Sequence, residues 1–440
     1  MINTSTPKIT VFASAYTINP FKGSEDGMGW NFVLQIARNC HVIAVTRKNN
    51  RPAIEKYQQE HPELSDLYKR IEFRYYDWPK RFLFWKKGPV LSLIYYYFWQ
   101  LGLALHFRSL KNQVDVVHNL NFHNDWTPSF LWIWRKPFVW GPVGHHPRIP
   151  KGFIRPFYSN RNLIMDRFLW TLKNIFWYLD PFLKITRNSA DHIFCMHQEA
   201  ANKLGLKNKY SILPSVASEE VDKPIETDEF IVLSAGRFVG LKGFDITIEA
   251  FHQFYIQLKD SEQRKAKLIL VGSGPEKHKL KALALSLGIS AQLEIIEWIP
   301  RDELKKIYQT TSVFLFPSHE GAGMVVAEAL SYGVPVLCWD NCGPGRFIHP
   351  DSTLKIAYDP NSDWKNAFAD QLLRLKHDAT FYQHERNLAR QRFLSTFLWD
   401  NRADELYSVY KDVAGKTQDS FANSEQNDTV FSLTGNSISQ

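Results

Sequence analysis

At 440 residues, with 44% hydrophobic and 22% charged side chains, the chain has ordinary globular composition and is too long for one compact core, so two domains are expected. A formal charge of +8 attracts anions, yet zinc-finger spacing, an aromatic RNA-binding motif and any run of five or more basic residues are missing, which sets bulk nucleic-acid binding aside. The opening MINTSTPKITVFASAY lacks a secretory pattern, and the scattered Cys40, Cys195, Cys338 and Cys342 point to buried thiols in a reduced, cytoplasmic protein rather than to disulfides or a zinc site.

In chain order, KITVFASAY predicts a strand, NPFKGSEDGMG a glycine-rich loop and WNFVLQIARN a helix. HVIAVTR, DVVHNL and KPFVWGPVG follow as further strands, and this alternation predicts a parallel α/β sheet. The segment from Asp77 to Arg108 is packed with aromatics. Its apolar part, Val90 to Leu105, falls short of the ~20 residues that cross a bilayer, so a helix packed on the sheet is expected. Peripheral contact with an anionic membrane is the other reading, because Lys80, Arg81, Lys86 and Lys87 lie beside Phe82, Phe84 and Trp85. Arg155 to Arg187 repeats that basic-aromatic character.

From Asp228 the texture changes to regular alternation: FIVLSAGR, FDITIEAFHQFYIQL, AKLILVGSG, PEKHKLKALALSLG, LEIIEW, RDELKKIYQT and VFLFPS predict a second doubly wound domain. The polar SVASEEVDKPIETDE is the candidate linker. The tail after Lys416, rich in Ser, Asn and Gln, is expected to be disordered.

Chemistry concentrates in this second half. Arg237, just past a strand, and Lys242, before a helix beginning near Phe244, would meet a pyrophosphate at the crevice of an open α/β sheet. VGSGPEKHKL offers Gly272 for close backbone approach, but the third glycine of a dinucleotide fingerprint is replaced by Lys277. In PSHEGAGMVVAEALSYG, Glu320 stands at a loop mouth and Glu328 about two turns into a helix. A carboxylate accepts two hydroxyl donors at once, as a ribose or sugar diol presents them, and Gly321 and Gly323 would free N–H groups at the helix N-terminus for phosphate. Glu328 lies between Ala327 and Ala329, where a carboxylate needs a partner.

The Arg-x4-Lys element, VGSGP, the Glu-x7-Glu element and YGVPVL together resemble the donor half of glycosyltransferase family 4, retaining enzymes of GT-B architecture. GSEDGMGW and FVWGPVG resemble the N-terminal half of one branch of it. The resemblance implies two Rossmann-like domains facing a central cleft, with the WDNRADELYSVYKDV helix crossing back to the first domain. It also implies a UDP- or GDP-sugar donor, no cofactor and no metal; no Asp-x-Asp pair is present to hold Mg2+. Arg237 and Lys242 would hold the diphosphate, Glu320 sugar hydroxyls and Glu328 the ribose. Gly23, Ser24, Gly236, Gly272, Gly321, Ala322, Gly323, Met324 and Val325 would line the donor site. His118 matches a histidine near the reaction centre and, with Glu320, Arg237 and Lys242, completes the expected catalytic set; His123 and His145 are acceptor-side candidates. Two features depart from the family: SILPSVASEE lacks its proline-asparagine-glycine turn, and His145 stands where a glycine is common.

The bounds expected are 1–212 for an acceptor-binding domain, 213–228 for the linker, 229–395 for a nucleotide-sugar-binding domain, 396–415 for the crossing helix and 416–440 for the tail. The expected function is retaining transfer of a hexose-type sugar to a hydroxyl of a glycan or lipid-linked acceptor in surface polysaccharide synthesis, at the inner membrane face. A nucleotide-sugar epimerase of the same fold and a noncatalytic scaffold are the alternatives.

Overall fold

The computed structural model describes residues 9–434 except 87, 121–123, 155–159, 222–224, 226, 298, 300 and 322. The N-terminal half holds strands β1 (Thr10–Ala15), β2 (His41–Thr46), β3 (Ile71–Tyr75), β4 (Val116–Leu120), β5 (Phe138–Val143), β6 (His192–Cys195) and β7 (Tyr210–Ile212). The C-terminal half holds β8 (Phe230–Ala235), β9 (Ala266–Val271), β10 (Leu293–Ile296), β11 (Val313–Phe316), β12 (Val336–Trp339) and β13 (Lys355–Ile356). Among the described residues the first sheet runs β3-β2-β1-β4-β5-β6-β7 and the second β10-β9-β8-β11-β12-β13, both parallel throughout. Each order reverses direction beside its first strand. That reversal opens a crevice at the carboxyl ends of the strands, β1/β4 in one sheet and β8/β11 in the other.

Strands covered on both faces must be apolar throughout, and FIVLSA of β8 is buried at every position. On one face of the first sheet, Val11, Ala13 and Val116 pack with Phe32 and Val33 of the Ser24–Asn39 helix. On the other, Phe12, Val45 and Phe138 pack with Tyr95, Trp99 and Leu103 of the Gly88–His106 helix. This aromatic segment is thus a helix on the sheet, with the Trp99 indole donating to the Tyr76 carbonyl at 2.9 Å. No described helix is long and apolar enough to cross a membrane.

One sequence expectation needs correction. The helix expected to begin at Trp30 begins at Ser24, because Glu25 and Asp26 in its first turn favour the positive end of the helix dipole. The final helix runs Trp399–Thr434.

The two halves are joined by two crossings that run side by side. The Ser218 N–H donates to the Phe397 carbonyl at 2.8 Å, and the Trp399 N–H donates back to the Ser218 carbonyl at 3.2 Å. The final helix then packs on the Ser24–Asn39 helix, with Trp399 edge-on to Phe32 and Arg38 paired with Asp400 at 2.5 Å.

Candidate functional site

β8 ends at Ala235, and Gly236 follows with φ of +147°, a conformation that favours glycine. Beside it, at the end of β9, a Cβ on Gly272 (φ +146°) would run into the Gly236 carbonyl. The two backbones therefore touch where a ligand phosphate would approach. Arg237 is exposed at this lip. The chain turns through the Gly240–Lys242 3-10 turn and enters the Phe244–Tyr255 helix, bringing Lys242 back over the lip with its ammonium 5.3 Å from the Phe316 ring centre.

Lys242 meets Glu320 there, Nζ to Oε2 at 2.6 Å, with both side chains mostly buried. Burial raises the Glu320 pKa above the ordinary carboxylate value, while the Lys242 charge and hydrogen bond, and then the Arg237 charge, pull it back. Three of the four residues singled out for the donor are thereby within one electrostatic group. The loop that carries Glu320 is pinned: a Cβ on Gly343 would strike its carbonyl, and its N–H donates to Ser318 Oγ at 3.2 Å.

Gly321 follows, closely faced by the first domain. A Cβ there would strike the His145 carbonyl, and the Gly321 N–H donates to His146 Nδ1 at 3.0 Å. Gly323 is extended (φ 177°) at the N-cap of the Met324–Ser331 helix, so Met324 and Val325 form its first turn. Glu328 lies one turn further, where Tyr308 donates to its Oε2 at 3.3 Å. This is the partner its apolar helix demanded. Glu328 and Tyr308 line a cavity of about 230 Å³ that also borders Ser218, Glu219 and Glu220 of the linker. Glu320 and Glu328 thus sit in adjacent but distinct surroundings: one against cations, the other in a cavity that reaches the interdomain crossing.

On the acceptor side the outcome is mixed. His118, expected near the reaction centre, is instead fully buried under the final helix: its Nδ1 lies 2.7 Å from the Tyr410 hydroxyl and its Nε2 3.0 Å from the Gly141 carbonyl. Burial depresses its pKa to about 3, so the ring is neutral with both nitrogens engaged, and it is not a group a substrate can reach. A histidine at a strand end serves a crossing helix as readily as a substrate; the sequence does not show which element covers it. Gly23 is exposed at the N-cap of the Ser24–Asn39 helix, with open space where a Cβ would stand, and Ser24 opens that helix. His123 and Ala322 lie outside the described residues.

His145 is buried with its Nδ1 2.6 Å from Asp125 Oδ2. Its carbonyl also receives the Cys342 thiol at 3.7 Å, so this histidine joins the two halves. Further across the cleft, Phe153 stacks on Tyr358 at 5.2 Å, and Arg346 pairs with Glu199 at 2.7 Å and Asp340 at 2.6 Å. All four cysteines are buried.

The deciding observation is a cation in the turn after β8, Lys242, paired with the first glutamate of the Glu-x7-Glu element on a doubly wound sheet. Residues 201–392 match the family glycosyl transferases group 1. An uncharacterized glycosyltransferase of Methanocaldococcus jannaschii is 29% identical over 188 residues, 42% of this chain and 46% of that one. The lipopolysaccharide glucosyltransferase WaaG of Escherichia coli is 30% identical over 139 residues, 31% of this chain and 35% of that one. The matched stretch thus spans less than half of either relative. Over the whole fold, the crystal structure of WaaG, a glycosyltransferase involved in lipopolysaccharide biosynthesis, has a TM-score of 0.57 at 16% identity, covering 92% of this chain and 100% of that one. That of Anabaena HepE in complex with UDP and glucose gives 0.57 at 14% identity, over 92% and 100%. The fold is GT-B.

Sequence reasoning missed several residues that the group 1 segment and its partner half bring to the cleft. Asp125 escaped because its link to His145 spans 20 residues and the whole of β5. His146 is an acceptor-side candidate beside His145, but its bond to the Gly321 N–H is not legible in the sequence, and Tyr308 lies on a separate helix from Glu328. For Tyr308 a signal existed: a buried carboxylate on an apolar helix requires a donor, and the preceding helix, RDELKKIYQT, offers one at its inner face.

Proposed function

We propose that the protein is a retaining glycosyltransferase of family 4 type that moves a hexose-type sugar from a UDP- or GDP-sugar to a hydroxyl of a glycan or lipid-linked acceptor. The observation that carries this reading is the Lys242–Glu320 pair at the Gly236/Gly272 lip, with Arg237 beside it. In this reading residues 1–212 bind the acceptor, 229–395 bind the donor, and the two crossings at Ser218 and Phe397–Trp399 form the hinge. Arg237 and Lys242 bind the diphosphate and stabilise the charge that builds on it as the bond to the anomeric carbon breaks. Positioned cations suit this task without a metal, because they are aimed before the charge develops. Entry of the diphosphate gives Lys242 a second anionic partner and turns the Glu320 carboxylate toward sugar hydroxyls. Glu328, held by Tyr308, accepts from the ribose diol at the mouth of its cavity. The donor site is lined by Gly236, Gly272, Gly321, Gly323, Met324 and Val325, with Gly23 and Ser24 facing it from the other domain. His145, oriented by Asp125, faces the acceptor.

The name of WaaG as a lipopolysaccharide glucosyltransferase and the UDP held by HepE support surface polysaccharide synthesis and a uridine nucleotide, respectively. Calorimetric titration with UDP, GDP and ADP, with and without EDTA, tests the donor site. Binding of one nucleotide that survives EDTA and weakens about tenfold or more in Glu328→Ala is expected from loss of charge-assisted hydrogen bonds. Absence of binding by all three would abandon the reading.

A further inference from the structure

Of the 18 large apolar side chains exposed among the described residues, 12 fall between Phe82 and Phe182. They are not scattered. On the Asn160–Leu179 helix, Ile164, Phe168, Ile175 and Leu179 recur at helical spacing on its outer side, and on the Gly88–His106 helix Ile94, Phe98 and Leu105 do the same. Between the two helices runs an apolar groove of about 210 Å³, bordered by Ile94, Tyr97, Phe98, Leu172 and Phe176 and floored by Trp126, whose ring lies 5.2 Å from that of Phe176. A contiguous apolar surface of this kind marks a place where something apolar binds.

What binds is indicated by the inner end of the groove. Trp126 follows Asp125, the partner of His145, and the His145 ring lies 5.5 Å from that of Trp177, one turn along the helix from Lys173. Lys173 is half-buried. Its charge is attracted by Asp125 and Asp166, but among the described residues its ammonium has no hydrogen bond or ion pair. Desolvation lowers its pKa and outweighs the pull of those two carboxylates. The surroundings strengthen the case for an anion: residues 1–212 carry 29 Lys and Arg against 14 Asp and Glu, a net +15, whereas the remaining 24 against 31 give −7.

We infer that the groove between the Gly88–His106 and Asn160–Leu179 helices binds the hydrocarbon chain of a single lipid phosphate, with Lys173 receiving the phosphate at its inner end. The inference rests on the acceptor side of the proposed reaction and deepens it: the glycan carried on such a phosphate would emerge beside Asp125 and His145, facing the loop of Gly321. A bilayer surface is a different occupant. It would use the outer stripes and surface cations and would need neither the groove floor nor Lys173.

The test uses the full chain and farnesyl monophosphate below its micellar concentration, titrated by calorimetry, with UDP titrated in parallel. Farnesyl monophosphate is expected to bind the wild type, and binding is expected to weaken about tenfold or more in both Phe98→Asp, which puts charge on the groove wall, and Lys173→Met, which removes the cation. Farnesol should feel the first substitution and not the second. UDP binding should be the same in all three proteins, which shows that the variants are folded. Farnesyl monophosphate binding that is indifferent to both substitutions, or matched by inorganic phosphate alone, overturns the groove. So does a wild type that binds anionic vesicles and UDP but not farnesyl monophosphate, an outcome that leaves the transferase reading standing. Uptake of farnesyl monophosphate with no nucleotide bound at all does the reverse.

Discussion

Lys242 and Glu320 form an ion pair, and that fact makes a prediction about each. Lys242→Ala removes the nearest cation from a carboxylate whose pKa burial already raises, so Glu320 will take up a proton at higher pH than in the wild type. The sign follows from the causes: burial favours the neutral acid, and Lys242 is the larger of the two opposing charges. Turnover in Lys242→Ala or Arg237→Ala is expected to fall about 100-fold, the effect of losing roughly 3 kcal/mol of stabilisation of the leaving diphosphate. Steady-state kinetics check it, and a loss smaller than about tenfold would remove these residues from the reaction. The pair also shows what was legible in one dimension. Arg237, Lys242, Glu320 and Glu328 stood out because short spacings fix their place on a strand end or helix, and local geometry survives folding. Asp125 did not stand out: its significance is created by His145, which only the packing of β4 against β5 brings near. His118 erred in the opposite direction, with good local credentials and a partner, Tyr410, 292 residues away.

At the scale of elements, that contact makes His118 a fastening between β4 and the final helix, beside the packing of Trp399 on Phe32. Most elements were readable because hydrophobic period and turn residues agree, as in FIVLSA and MVVAEALS. The docking of the last helix was readable only through family resemblance. The role of His118 can be separated from a catalytic one by stability against pH. An imidazole with an ordinary pKa of 6.5 when unfolded and about 3 when folded is neutral in both states above pH 7. Below 6.5 the unfolded chain binds a proton that the folded chain refuses, so the wild type loses stability through this group as pH falls toward 3. Other buried groups, such as Glu25 and Asp245, whose pKa values burial raises to about 7, act with the opposite sign and mask this in the wild type alone. The difference between proteins isolates it. His118→Asn should destabilise by about 1–3 kcal/mol at pH 8, where the Tyr410 hydroxyl and Gly141 carbonyl lose a fitted partner. By pH 5 that gap should shrink by about 2 kcal/mol, since the variant no longer resists protonation. Urea unfolding midpoints at the two pH values measure it; a gap constant with pH would mean that the ring is not held neutral.

Across the whole molecule, the two halves carry charge of opposite sign, +15 on residues 1–212 and −7 on the rest. The excess of cations falls on the half that also exposes the apolar stripes, while in the C-terminal half Arg237 and Lys242 are set in an acidic body. A protein of net +8 with evenly spread charge would meet an anionic surface in no preferred orientation. The asymmetry predicts that an anionic surface would attract the N-terminal half and leave the C-terminal half facing bulk solvent. Adsorption to vesicles that contain anionic lipid should therefore depend on basic residues of the first half, such as Arg81 and Lys86 beside the exposed Phe82 and Phe84. At about 1 kcal/mol for each cation near the surface, replacing Arg81 and Lys86 by glutamate should reduce vesicle binding by about tenfold or more. Because the attraction acts over a Debye length, about 10 Å at 0.1 M salt and about 3 Å at 1 M, raising salt across that range should release most of the wild type. Cosedimentation with zwitterionic and with anionic vesicles measures both effects. Binding that ignores salt and lipid charge would show that the apolar stripes act alone, and equal weakening by charge reversal at Lys265 and Lys267 of the donor half would show that the asymmetry sets no orientation.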